Sequence, residues 1–375
     1  MKIAVNTRML LKDRLDGIGR FAYHTLSRIT KAHPEVEFVF LFDRKFSDEF
    51  IFSKNVTPMV IPPPTRHPFL YYLWFQISVK LALKKIKPDL FLSPDGLLPL
   101  GAQCKQLAVI HDINFKHYPE DLKFWTGKFF NYYFPKYAFA ANRIVTVSEY
   151  TKKDLMQEYR TSSDKIDVVY NAADEIFAPI TAEEKRETRQ KYSKGEDYFV
   201  FIGSVSPRKN IGRLMEAFDL FKKENKNNLK LIIAGANFWG QDKLNETLNK
   251  LEFKNDIIFT GRVDDNEMRL LLGSAFCLTY IPYFEGFGVP LVEAMRAHVP
   301  IISSSLTSMP EIAGGAAVFV NPFQIQEVRD AMVRITADES LRHMLIEKGK
   351  IQCQKFSWDK SAADLWKSIE KTLAE

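Results

Sequence analysis

Twelve short runs of β-branched and aromatic residues recur along the chain with helical stretches between them, and no other feature restricts the fold as much. The first six cover residues 2–6, 38–42, 89–93, 106–112, 143–148 and 165–171. The second six cover 198–204, 230–235, 256–261, 276–282, 300–305 and 316–322. Continuous apolar runs alternating with helices are parallel strands buried on both faces, because each crossover lays a helix against the sheet. The pattern predicts an α/β chain, doubly wound, and wound twice over. A length of 375 residues also exceeds what one hydrophobic core usually serves. Residues 172–197, charged, lysine-rich and carrying Pro179, read as the junction between two domains. Beyond the last strand a helix over 358–373 sets Trp358, Ala362, Leu365, Trp366 and Ile369 at helical spacing.

Composition excludes several classes. Hydrophobic residues at 46% and charged residues at 26% are ordinary globular values, without low-complexity tracts. Cys104, Cys277 and Cys353 are scattered and odd in number, which argues for a reducing compartment and against a disulfide or structural zinc framework. Lys2 is followed at once by a strand-like run, so a secretory signal is not expected. The best apolar stretch, 69–79, is closed by Lys80 and falls short of the roughly 20 residues a bilayer needs. Residues 1–170 hold 25 Lys and Arg against 17 Asp and Glu, while the whole chain is only +6. A basic first half points to an anionic partner such as a lipid phosphate or membrane face, the plain alternative being a normal solvated surface.

Open α/β sheets bind ligands at the carboxyl ends of their strands, so the loops there are searched first. After the first strand come Asp16, Gly17, Ile18, Gly19 and Arg20, where two glycines could let a ligand approach the backbone, or simply form a turn before a helix. After the fourth come His111 and Asp112; the histidine suits a sugar hydroxyl or charge building at a reacting carbon, and a capped loop histidine is the alternative. In Gly203-Ser204-Val205-Ser206-Pro207-Arg208-Lys209-Asn210, two cations open a helix at its positive end, an unfavourable placement unless an anion sits between them. A diphosphate fits best, with the guanidinium as a directional fork and the ammonium as a point charge. Arg262 follows Gly261 at another strand end, where the backbone could border a flat base.

Glu285 and Glu293 stand eight residues apart around Gly286, Phe287, Gly288, Val289 and Pro290. Glycine loops and helix N-termini favour anions, and carboxylates beside them cannot hold a phosphate themselves. They are placed for hydroxyl groups attached to it, which points to a sugar nucleotide. Ser308-Met309-Pro310-Glu311 has capping-box spacing and a structural reading. No nucleophile elbow, zinc-protease helix or P-loop is present, and no D-x-D pair for a metal-bound diphosphate.

These residues, in this order along nearly the whole chain, resemble the retaining glycosyltransferases of family 4. The resemblance rests on residues 16–20, Val109-Ile110-His111-Asp112, Val147-Ser148-Glu149-Tyr150-Thr151, 203–210 and 285–290. It implies the GT-B fold, two facing Rossmann-like doubly wound domains with a cleft between them and a C-terminal crossover helix. The expected domains are 1–172 with 357–375 on the acceptor side, and 173–356 for the nucleotide sugar. By position, Arg208 and Lys209 would hold the donor diphosphate and Glu293 the ribose. Glu285 with the amides of Gly286, Phe287 and Gly288 would grip the transferred sugar and adjacent phosphate, beside Val289. His111 would contact that sugar, Gly17 and Gly19 would approach diphosphate or acceptor, and the backbone around Arg262 would border the base. Many relatives carry a basic residue where this chain has Ser204, although a subgroup resembling polysaccharide mannosyltransferases shares Pro-Arg-Lys-Asn after a small residue.

The implied reaction is retaining hexosyl transfer without cofactor or metal, from a nucleotide-sugar donor, GDP-mannose favoured, to a glycan or lipid-linked acceptor in cell-surface polysaccharide synthesis. A UDP-sugar donor and a catalytically inactive sugar-nucleotide-binding subunit are the alternatives. A cytoplasmic protein is expected, with no nucleic-acid partner. The aromatic and basic stretch 124–137 offers peripheral contact with the inner face of the membrane, against the alternative of a buried helix.

Overall fold

A computed structural model of the chain describes residues 1–65, 67–236 and 241–375. It forms two compact units, Met1–Asn171 with Ser357–Glu375, and Ala172–Phe356.

The first unit is built on a parallel sheet of seven strands: β1 (Lys2–Asn6), β2 (Glu37–Phe42), β3 (Val56–Val60), β4 (Leu90–Ser93), β5 (Lys105–Ile110), β6 (Arg143–Thr146) and β7 (Ile166–Val168). Their spatial order is β3-β2-β1-β4-β5-β6-β7. Its central residues, among them Val5, Phe91, Leu92, Leu107 and Val109, are wholly buried, as strands covered by helices on both faces require. Strand β3 is absent from the twelve runs read in the sequence. It contains Pro58, which cannot donate to a ladder, and it survives because it lies at the sheet edge beside β2.

Several strands also stop earlier than their apolar runs suggest. The run 106–112 leaves the sheet at Ile110, and 143–148 leaves it at Thr146. The surplus residues have local duties: Ser148 Oγ accepts from the Thr151 amide at 3.0 Å and caps the helix Glu149–Tyr159. The last helix, Trp358–Ala374, belongs to this unit. Trp358 stacks on His24 of the helix Gly17–Ala32 at 4.6 Å, and Lys105 Nζ donates to the Leu373 carbonyl at 2.6 Å.

The second unit repeats the plan with β8 (Tyr198–Ile202), β9 (Lys230–Ala234), β10 (Ile257–Gly261), β11 (Cys277–Tyr280), β12 (Ile301–Ser304) and β13 (Ala317–Val320), in the order β10-β9-β8-β11-β12-β13. The charged stretch read as a junction is in part an element of this unit. Residues Ala182–Ser193 form a helix with a capping box between Thr181 and Glu184. It packs against the helix Asp265–Ser274, with Arg269 Nη2 2.8 Å from Glu184 Oε1. Its buried side chains are Thr188 and Ser193, so it carries no apolar stripe to betray it in the sequence.

Candidate functional site

In both sheets the order reverses between the first and fourth strands, β1 and β4 in one unit and β8 and β11 in the other. The loops leaving such a pair diverge and open a crevice at the carboxyl ends.

In the second unit the chain leaves β8 through one 3-10 turn, Pro207–Lys209, and Asn210 then adopts a left-handed conformation with φ 63°. Asn210 Nδ2 donates to the carbonyls of Pro322 at 2.6 Å and Ile281 at 3.3 Å, fixing the turn. The helix begins only at Ile211. Arg208 and Lys209 therefore precede the helix instead of opening it, and their charge is answered by a side chain. Arg208 Nη1 lies 2.5 Å from Glu285 Oε2, and Lys209 Nζ bonds the same oxygen and the Tyr280 hydroxyl. The Tyr280 hydroxyl donates to Glu285 Oε2 at 3.2 Å. Three donors thus converge on one carboxylate oxygen. Burial by itself would raise the carboxyl of Glu285, but Arg208 and Lys209 outweigh it and hold its pKa at about 2. Burial pushes the Tyr280 phenol well above its usual range, so it stays protonated.

Behind Glu285 the loop turns at Gly288, with φ +97°, where a Cβ would come within 2.6 Å of Met309 Cε. The helix Val289–Arg296 follows, with Pro290 in its first turn and Glu293 buried on it. Phe287 is buried, edge-on to Phe356 at 5.6 Å. Ser308 does not form the capping box its spacing suggests. Its hydroxyl lies 2.9 Å from the Glu285 carbonyl and 3.1 Å from that of Phe287, so it clamps the glycine loop from beneath. Arg262 is exposed at the end of the edge strand β10, two strands from β8, and the structure does not bring it against Glu285.

The remaining predicted residues lie in the first unit. Asp16 Oδ1 accepts from the Gly19 amide at 2.8 Å and caps the helix Gly17–Ala32. A Cβ at Gly19 would stand 2.8 Å from the Met9 carbonyl oxygen, whereas Gly17 has open space. The two glycines are therefore unequal: Gly19 is needed for packing and Gly17 is the accessible one. His111 Nε2 is 2.9 Å from the Pro94 carbonyl, and its ring meets Phe21 edge-on at 5.2 Å. Burial lowers its pKa, with the Pro94 carbonyl and Asp112 opposing in part. A carbonyl can only accept, so Nε2 carries the proton and the neutral ring keeps Nδ1 as an acceptor.

One cluster was not anticipated. At the switch point of the first unit, Arg8 Nε pairs with Asp95 just past β4, and Arg8 Nη1 bonds Thr65 Oγ1 at 3.2 Å. Thr65 donates through its amide and hydroxyl to Asp43 Oδ2, both at 2.6 Å, and Arg44 closes on Asp43 at 2.6 and 2.7 Å. Asn6 holds Asp95 Oδ1 at 2.8 Å, and the Arg8 guanidinium lies 5.0 Å from the centre of the Tyr71 ring. The signal available in the sequence was placement alone, Arg8 and Asp95 each two residues past a central strand.

Residues 15–175 match the family model for glycosyltransferase family 4, and residues 183–352 match that for glycosyl transferases group 1. The chain is 26% identical over 374 residues to O-antigen chain mannosyltransferase B of Escherichia coli, covering 96% of this chain and 97% of that one. It is 28% identical over 228 residues to the serotype-specific mannosyltransferase WbdA of E. coli, covering 59% of this chain and 28% of that much longer protein. Anabaena HepE, crystallised with UDP and glucose, superposes with a TM-score of 0.76 over 99% of both chains at 16% identity. With both halves matched and the same two-domain plan throughout, the chain belongs to the family 4 glycosyltransferases of GT-B fold.

Proposed function

We propose that this glycosyltransferase moves a hexose, mannose favoured, from a nucleotide-diphosphate donor to a glycan or lipid-linked acceptor in cell-surface polysaccharide synthesis, with retention and without a metal. The observation that carries the reading is the convergence of Arg208, Lys209 and Tyr280 on Glu285 Oε2. When the bond from the sugar to the diphosphate breaks, negative charge collects on the leaving phosphate. Two cations on a turn held by the Asn210 side chain, beside a glycine loop, are suited to receive it. A diphosphate arriving there takes a share of both, and Glu285 turns to the hydroxyls of the sugar.

Glu285 is read as partner of the cations and of the sugar hydroxyls, not as general base or nucleophile, because Arg208, Lys209 and Tyr280 all engage its carboxylate. That supports a same-face substitution. The acceptor oxygen bonds the anomeric carbon as the phosphate oxygen leaves, and that phosphate oxygen takes the acceptor proton. His111, neutral with Nδ1 available, accepts from a sugar hydroxyl, and Glu293 binds the ribose. The charge of the departing diphosphate falls to Arg208, Lys209 and backbone amides, since the sequence offers no D-x-D pair. Mannose and GDP are favoured by Pro207-Arg208-Lys209-Asn210 and by the similarity to mannosyltransferases of E. coli. The UDP and glucose held by HepE support a UDP-sugar as the second reading. The acceptor is met at the inner face of the membrane, with the chain bound peripherally; among the described residues no helix is long and apolar enough to cross it.

Thermal shift against GDP, UDP and ADP tests the donor, since a ligand at 100 times its Kd adds roughly 2.7 kcal/mol of stability. A shift with GDP and none with UDP is expected. A shift with UDP alone overturns the donor assignment, transfer lost in EDTA and restored by a divalent ion overturns the metal-free reading, and an inverted anomeric proton in the product spectrum overturns retention.

A further inference from the structure

The first unit carries a surface that neither its sheet nor the transfer reaction explains. Residues 50–88 contain six Lys and Arg and not one Asp or Glu, and residues 122–148 contain four and again no acid. In the fold these two stretches meet: the helical segment running from Pro68 to Ile86 and the helix Phe124–Ala140 pack together. Along the second helix Trp125, Lys128, Tyr132, Lys136 and Phe139 recur every three or four residues, which places them on one face. That face is outward, with Trp125 69%, Tyr132 59% and Phe139 87% exposed. Lys136 Nζ lies 3.4 Å from the Tyr132 ring centre, so cation and aromatic alternate in contact.

Along the first segment Phe69, Tyr72, Ile77 and Leu81 are exposed in their turn. The backbone over Trp74–Val79 is a π-helix, whose wider turn fits the five-residue step from 72 to 77 between steps of three and four. The exposed row ends at Lys84 and Lys85, in the last turn. Between the two elements runs an apolar groove of about 490 Å³, walled by Phe69, Tyr72, Trp125, Phe129 and Tyr133, with His67 and Lys128 as its basic side chains.

We infer that this face docks on an anionic phospholipid leaflet, with the aromatic rows entering the headgroup boundary, the lysines on lipid phosphates, and the groove taking one acyl chain. Charge and shape select this occupant. A soluble chain gains nothing from exposing aromatic rows, whereas the interface of a bilayer accepts aromatic rings beside lysines. Two stretches without an acidic residue form the two sides of the groove, and their lysines complement phosphate. A helix of 17 residues with this alternation lies on a membrane and does not span it. The inference deepens the membrane-bound acceptor proposed above, because it supplies the surface by which the first unit would meet a lipid carrier.

Flotation of the full chain with phosphatidylglycerol and phosphatidylcholine vesicles tests it, without donor or acceptor. Binding to the anionic vesicles is expected at low salt, weakened by 0.5 M NaCl. The pair Lys128→Glu and Lys136→Glu should lower partitioning roughly 30-fold or more, taking about fivefold per lysine. Lys250→Glu, an exposed lysine of the second unit, should leave it unchanged. Brominated acyl chains should quench a component of tryptophan emission that Trp125→Phe removes, and unchanged thermal unfolding of the variants establishes that they are folded. Absence of binding to anionic vesicles, equal weakening by Lys250→Glu, or emission from Trp125 indifferent to bromine would each overturn the proposal. A chain that floats as expected but transfers no sugar leaves this surface standing and removes the transferase reading instead.

Discussion

The same point of the same fold is occupied by two differently built charge clusters. At β1 and β4, Arg8 and Arg44 face Asp43 and Asp95, two cations to two carboxylates, with Asn6 and Thr65 engaged on the carboxylates. At β8 and β11, Arg208 and Lys209 both turn to a single oxygen of Glu285. A balanced cluster has its hydrogen bonds committed inward and braces the strand ends. A cluster whose donors converge on one carboxylate oxygen presents two cations and the neutral Tyr280 hydroxyl together, a set for which a diphosphate can compete. Position in the fold marks where a ligand can bind, and the sharing of bonds, spread over several partners or gathered on one oxygen, separates a brace from a receptor.

The strongest way to break this comparison is Arg8→Ala. Removing one partner from a buried pair leaves the other uncompensated and typically costs about 3–5 kcal/mol. Denaturant unfolding should report that loss, while GDP or UDP binding to the folded protein stays within twofold. A loss below about 1 kcal/mol accompanied by a fall in transfer would mean that Arg8 meets a ligand and that the brace is misread. Next in size is Lys209→Ala. Arg208 and Tyr280 still hold Glu285 in this variant, so folding should suffer little. Turnover should fall about 100-fold, roughly 2.7 kcal/mol of barrier, because a donor to the leaving diphosphate is gone. Turnover within threefold of wild type rules out that role.

Much of this was legible in the sequence, for a physical reason. Twelve strands announced themselves as apolar runs, most because they are buried on both faces and the edge strands β7 and β10 through their β-branched residues, while β3 hid behind Pro58 at an edge. Arg208, Lys209 and Glu285 were legible as a loop motif and a glycine loop. Their convergence on one another was not, because it depends on β8 and β11 being neighbours across 76 residues of chain. Tyr280 was hidden differently: it is the last residue of a buried strand, and its ring reads as core while its hydroxyl works in the site. Arg8 and Asp95 are 87 residues apart and belong to no motif. Charge pairing across a sheet is a property of strand order, which local spacing does not encode.

Ser308 gives the finest test of the receptor side. Its spacing to Glu311 promised a cap, yet its single hydroxyl proton is shared between the carbonyls of Glu285 and Phe287, and its neighbour Met309 crowds the left-handed turn at Gly288. The serine thus acts on the site through the loop and touches no reacting atom. Ser308→Ala removes one donor from two buried carbonyls, a net loss of about 1 kcal/mol. If the loop amides hold the donor phosphate, that loss should appear as a rise of about fivefold in the donor KM, with kcat changed less than twofold. The split separates positioning from chemistry, since Lys209→Ala is expected to act on kcat. Should Ser308→Ala lower kcat as far as Lys209→Ala does, the shape of the loop and not the two cations would drive bond breaking, and their convergence on Glu285 would lose its meaning as the mark of a receptor.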